Sequence, residues 1–247
     1  MRLRRFWVRR LGVALLLAAL PFPAAAGELP ADAAILDAFA KIAFGNEYEA
    51  KADPRLQKWA QPIRWRAYEA LALAEDERAF LERHIARLAR LTGLSTTPAP
   101  IWPESNFLIL FVAEDRYAAT IERYLAPGRR HMLARLATTA CLGLLRHHRV
   151  TFEIELAVAI IPVERARARG LMRSCIAEET TQVLGLPNDA EIPGTLFNDS
   201  GEARDLTPLD DLLVRLLYHP ALKAGMNRGE AMAAARSVLP KLRAQSR

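Results

Sequence analysis

Between positions 178 and 189 the chain reads Glu-Glu-Thr-Thr-Gln-Val-Leu-Gly-Leu-Pro-Asn-Asp. Glu178 and Gln182 stand at i and i+4, which puts both on one face of a helix. Two side chains so placed can grip one ion while a residue between them works as a base, and Glu179 fills that middle place. Gly185 lets the chain turn sharply enough for Asn188 to come back toward the same point. Asp189 and Asp199 can add charge if they turn inward. These donors are all oxygens. They suit Zn²⁺ poorly and Ca²⁺, Mg²⁺ or Mn²⁺ better, yet one carboxylate and two amides hold such ions weakly. Three readings compete. The polar groups bond to one another across a cleft, the cleft binds a peptide or glycan without hydrolysing it, or an unusual ligand set supports a working metal hydrolase.

Little else in the chain has catalytic spacing. None of the five histidines stands at ligand spacing to another, and there is no Gly-rich phosphate loop and no G-x-S-x-G elbow. His147-His148, between Arg146 and Arg149, reads as a solvated basic turn, and His84 as a surface residue of an amphipathic helix. Ser174 has no histidine placed by sequence to activate it. Trp59, Trp65 and Trp102 could line a sugar site, although such rings more often pack in a core or at its rim.

The address of the chain bears on its two cysteines. Arg2, Arg4, Arg5, Arg9 and Arg10 precede an apolar run from Leu11 to Leu20, and Ala24-Ala25-Ala26 gives a small-residue cleavage pattern. Residues 1–26 therefore read as a signal peptide, with 27–247 as one exported domain, periplasmic and without a stable membrane anchor after cleavage. The general secretory and twin-arginine export routes both stay open. Five of the 34 basic residues fall in the signal, leaving 29 against 28 acidic ones. The basic character is thus the signal's, and it gives no argument for a nucleic-acid partner. In an exported chain the pair Cys141 and Cys175 points to a disulfide, against the alternative of two separate buried thiols.

The motif needs elements to position it. A helix is expected over 31–44 within an N-terminal lead-in (27–53), followed by a half-buried strand over Pro62–Tyr68 and a helix over Glu75–Leu91 ending at Gly93. Ser95–Pro103 reads as loop or edge strand, and the apolar run Phe107–Val112 as a buried strand. Residues 116–126 and 130–146 read as helices. Val150–Ile161 alternates as a strand with one wet side, a sheet edge, and Glu164–Leu184 as the helix carrying the motif. Thr207-Pro208-Leu209-Asp210 opens a helix running to Tyr218, and Asn227–Leu239 makes the last helix, in a C-terminal tail (226–247). The order is α+β.

Taken together, these pieces resemble a zincin. The metzincin motif H-E-x-x-H-x-x-G-x-x-H has the frame of E-E-x-x-Q-x-x-G-x-x-N in this chain. Gly194–Asp199 sits where the Met-containing turn would be, and Leu206–Asp211 with Leu217-Tyr218 resembles the closing helix of matrix-type metzincins. Over nearly all its mature length the chain also resembles an uncharacterised family of exported proteobacterial proteins, domain of unknown function 2927, through the segment Arg173–Asp189. That resemblance brings no known activity. The zincin resemblance implies a mixed twisted sheet with a backing helix, an active-site-type helix and a C-terminal helix. It puts Glu179 on the catalytic glutamate, Glu178, Gln182 and Asn188 on the three histidine ligands, and Phe197 on the Met of the turn. It also implies that the edge strand, read at Val150–Ile161, accepts an extended peptide by strand addition, which needs no metal.

The expectation is therefore a degenerate, zincin-like (metzincin-type) α+β domain, more a binder than an enzyme, whose partner is a peptide or protein of the cell envelope. No cofactor is expected. The alternative is a metal-dependent peptidase with Glu179 as base and a weakly held divalent cation.

Overall fold

The computed structural model describes residues 29–45, 54–198 and 203–245. The signal-peptide reading and Asp199 lie outside the described residues. In chain order the elements are α1 (Asp32–Phe44), β1 (Ile63–Glu69), α2 (Glu75–Thr92), β2 (Thr96–Pro98), β3 (Phe107–Val112) and α3 (Tyr117–Tyr124). After them come α4 (Leu133–Leu136), β4 (Leu142–His147), β5 (Ile154–Pro162), α5 (Val163–Ala168), α6 (Met172–Gln182), α7 (Pro208–Tyr218) and α8 (Arg228–Ala244).

The five strands form one mixed sheet in the order β2-β1-β3-β5-β4. Every pairing is parallel except that of β4, which runs antiparallel to β5 at the sheet's edge. The class is α+β. β3 is buried at all six positions, as a central strand covered on both faces must be. Alternate residues of β3 go to opposite cores: Phe107, Ile109 and Phe111 pack with α1, α2, α6, α7 and α8, and Leu108, Leu110 and Val112 pack with α3 and α4.

α2 begins where Glu77 Oε2 accepts the Ala74 N–H at 2.9 Å, satisfying one of the orphan donors of the first turn. It ends at Gly93, whose φ of 70° closes the last turn. The Glu77 carboxylate also takes both Arg167 Nε and Nη2, at 3.0 and 2.6 Å, tying α2 to α5. At the other end of the chain Thr207 caps α7 as its sequence predicts. Asp210 Oδ2 accepts the Thr207 N–H at 2.8 Å, and Thr207 Oγ1 accepts the Asp210 N–H at 3.3 Å.

Three expectations are corrected. The region 130–146 is not one helix: a 3₁₀ stretch over Pro127–Met132 leads to the four-residue α4 and then to β4. There antiparallel pairing with β5, from Leu142 opposite Ile160 to His147 opposite Ile154, prevails over the helical reading. Nor is Val150–Ile161 a single edge strand. Residues 149–151 form a turn, Phe152 takes φ of 60°, and β5 starts only at Ile154. That hairpin folds β4 against β5, so β5 is interior and β4 is the edge. Finally, Glu164–Leu184 is two helices, because Gly170 at φ 66° breaks the chain between α5 and α6.

Candidate functional site

α6 is buried along most of its length, although two threonines lie on it. Their hydroxyls are satisfied within the helix. Thr180 Oγ1 donates to Ile176 O and Thr181 Oγ1 to Ala177 O, each at 2.6 Å, which removes the penalty of burying them. The far end of the helix is closed by side chains from elsewhere. Trp59 Nε1 donates to Val183 O at 3.1 Å and Tyr218 Oη to Leu184 O at 2.8 Å, and the Tyr218 oxygen accepts the Trp59 N–H at 3.2 Å.

A disulfide joins Cys141 to Cys175, with 5.8 Å between the Cα atoms, as the even cysteine count predicts. It fastens the first residue before β4 to the first turns of α6. One turn further along α6, Glu179 is 6% exposed and lies under β4. A Cβ built on Gly143 would stand 3.0 Å from Glu179 Oε2 and 3.1 Å from Val183 Cγ1, so the glycine is what lets the edge strand settle on the carboxylate. Tyr117 is close by. Burial pushes its hydroxyl far above the ordinary phenol range, its hydrogen bond to Thr139 Oγ1 at 2.8 Å pulls it back, and the Glu179 charge adds to the rise.

The remaining predicted residues are drawn into a network. Gln182, 8% exposed, donates through Nε2 to Asp189 Oδ1 at 2.8 Å. Asn188 Nδ2 donates to Asp189 O at 2.7 Å and to Lys41 O, in the last turn of α1, at 3.1 Å. A Cβ on Gly45 would overlap the Asn188 amide, so the end of α1 sits directly on this side chain. Glu178 is half-buried beside Glu179 on α6. Gly185 has φ of 113°, and a Cβ there would overlap the Gln57 carbonyl oxygen.

Phe197 is fully buried, in a turn that Asp210 holds from beneath. Thr195 Oγ1 donates to Asp210 Oδ1 at 2.6 Å, and the Leu196 N–H donates to Oδ2 at 3.0 Å. Ala190 N–H donates to Phe197 O at 2.8 Å, which joins the Asn188–Asp189 loop to the same turn. Burial pushes the Asp210 carboxyl up, against the pull of the hydrogen bonds it accepts.

Glu179, Gln182, Asn188, Asp189 and Phe197 therefore belong to one connected region, but as donors, acceptors and core. Both amides of the predicted ligand set donate their N–H groups within the protein, as members of a hydrogen-bond network. Among the described residues no group of three or more His, Cys, Asp or Glu side chains is placed to hold a metal ion.

His84 is the residue that sequence reasoning misplaced. It is 2% exposed, not at the surface, with Nε2 3.3 Å from Thr181 Oγ1 and Nδ1 3.7 Å from Asp205 Oδ1. A signal was there to be used. Leu81 and Leu88 lie three residues before and four after, which places His84 on the buried stripe of α2.

The family model described as "Protein of unknown function (DUF2927)" matches residues 32–237, most of the chain, and the chain belongs to that family. No curated protein and no solved structure matches it.

Proposed function

We propose that this member of the family of unknown function is a non-catalytic peptide-binding protein of zincin-like shape, exported to the cell envelope. It captures an extended segment along the outer edge of β4. The observation that carries this reading is the placing of that edge. β4 is the terminal, antiparallel strand of an otherwise parallel sheet, pinned by the Cys141–Cys175 bridge and resting through Gly143 on the Glu179 carboxylate. No described strand pairs with its outer side. An exposed edge offers a row of backbone donors and acceptors to an incoming chain, and such pairing needs no ion.

The zincin-like reading draws on the order of the parts. Parallel strands are followed by the antiparallel edge β4, by β5 parallel to β3, then by α5 and α6 with its glycine turn, the turn at Phe197 and the capped α7. The non-catalytic reading draws on the ligand positions, where Glu178, Gln182 and Asn188 supply no imidazole for a catalytic zinc.

The test uses the purified mature protein and fluorescein-labelled, unfolded casein. Binding without cleavage is expected, with less than a tenth of an equivalent of zinc by elemental analysis. Cleavage that Glu179→Gln abolishes, or one zinc per chain, overturns the non-catalytic reading. Failure to bind overturns the capture reading. Cell fractionation tests the envelope location separately.

A further inference from the structure

A second surface, away from α6, has a composition that the edge strand does not explain. On the α3 side of the sheet the apolar cluster draws on β3, β4 and β5 but takes nothing from β1. β1 presents Arg64, Arg66 and Tyr68 at alternate positions, and Tyr68 pairs in register with Leu110 of β3. Tyr68 is 55% exposed and Trp102, at the start of a 3₁₀ turn, 38% exposed. With Tyr124 they surround a cavity of about 400 Å³ lined also by Leu110, Val112, Thr120 and Arg123. That volume is in the range of small-molecule sites.

The charges here are also distinctive. Arg66 Nη1 donates to Ala99 O at 3.0 Å and to Pro100 O at 2.8 Å, and Arg64 Nε donates to Glu104 O at 2.6 Å. The Arg123 guanidinium lies 5.8 Å from the centre of the Tyr124 ring. Each cation is held by a carbonyl or a ring face, and none of these contacts is to a carboxylate. Of these cations Arg123 lines the cavity, and rings that stay half-exposed beside it are matched to a ligand with one flat apolar face and a negative charge.

We propose that this cavity binds an acidic glycan, a pyranose carrying a carboxylate. The C–H face of the sugar stacks on Trp102 and Tyr68. Its hydroxyls meet Thr120 Oγ1 and the phenol groups, and its carboxylate pairs with Arg123. An extended peptide fits this place less well. β1 lies between β2 and β3, and β3 between β1 and β5, so neither strand has a free backbone edge to offer.

The experiment titrates the mature protein with tetragalacturonate and, in parallel, with the neutral galactotetraose, following backbone amide NMR shifts. The expected result is shifts centred on Tyr68, Trp102 and Arg123, with the acidic oligosaccharide binding at least about ten-fold tighter than the neutral one. Trp102→Ala and Arg123→Gln should each weaken binding about ten-fold or more at an unchanged melting temperature, since both side chains stand at the surface. The proposal is overturned if tetragalacturonate moves none of these amides or if the neutral sugar binds equally well. It is also overturned if either variant binds like the parent, or if a proline-rich peptide shifts these amides and the oligosaccharide does not.

Discussion

Removing the Cys141–Cys175 bridge tests the energetics and the proposed function together. The half-cystines are 34 residues apart, and the loop they close contains β4, β5 and α5. On the chain-entropy account a closed loop of that length stabilises by about 3.8 kcal/mol at 25 °C, through the freedom denied to the unfolded chain. Both sulfurs are buried, so the double variant Cys141→Ala/Cys175→Ala also loses packing of about 1 kcal/mol. The total of about 4–5 kcal/mol corresponds to a fall in Tm of roughly 8–20 °C for a domain of this size. Urea unfolding followed by circular dichroism separates the two parts. The entropic part acts on the unfolded chain, which becomes less compact, so the slope with urea should steepen as the midpoint falls. Casein binding should also weaken by more than the unfolded fraction accounts for, because β4 is no longer fastened to α6. A loss under about 1 kcal/mol with an unchanged slope would refute the argument that the bridge restrains the loop.

Two further outcomes are expected. Asn188→Ala leaves Lys41 O at the end of α1 without its side-chain donor and should lower stability by about 1–2 kcal/mol, with faster amide exchange in α1; unchanged exchange there would count against the network. Lys58 reaches Leu217 O and Leu222 O, each at 2.9 Å, and burial lowers its pKa to about 8. Between about pH 8 and 10.4 the folded amine is neutral while the unfolded one still holds its proton, so the unfolded state binds more protons and stability rises with pH. Relative to Lys58→Met the parent should gain roughly 1–2 kcal/mol across that window, after allowance for solvent screening, whereas a pH-independent difference would remove the effect.

How much of this could be read from the residues differs by element. β3, α2 and α7 were legible because each carries a complete local signal. These are a six-residue apolar run, an acidic first turn with Gly93 at the end, and a Thr-Pro-x-Asp cap. β4 was not, because Leu142–His147 carries no clean alternation of apolar and polar residues and its pairing depends on a hairpin turn. The turn's positive φ falls on Phe152, where no glycine or asparagine announces it. The site divides in the same way. Periodicity puts Glu178, Glu179 and Gln182 on α6, and the even cysteine count foretells the bridge. Only the tertiary arrangement brings the end of α1 onto Asn188, Gly143 onto Glu179, and His84 under α6.

Gly185 has a wider consequence. Its left-handed φ and the Gln57 carbonyl against it leave no volume for any side chain, and Trp59 and Tyr218 fasten the same crossing through the neighbouring carbonyls. What fixes a glycine at that point is the passage of one chain segment over another. A spacing pattern that includes it is a marker of topology, and it would survive any change in the groups three residues to either side. Chemistry in chains that share this frame has to be read from the other positions, one side chain at a time.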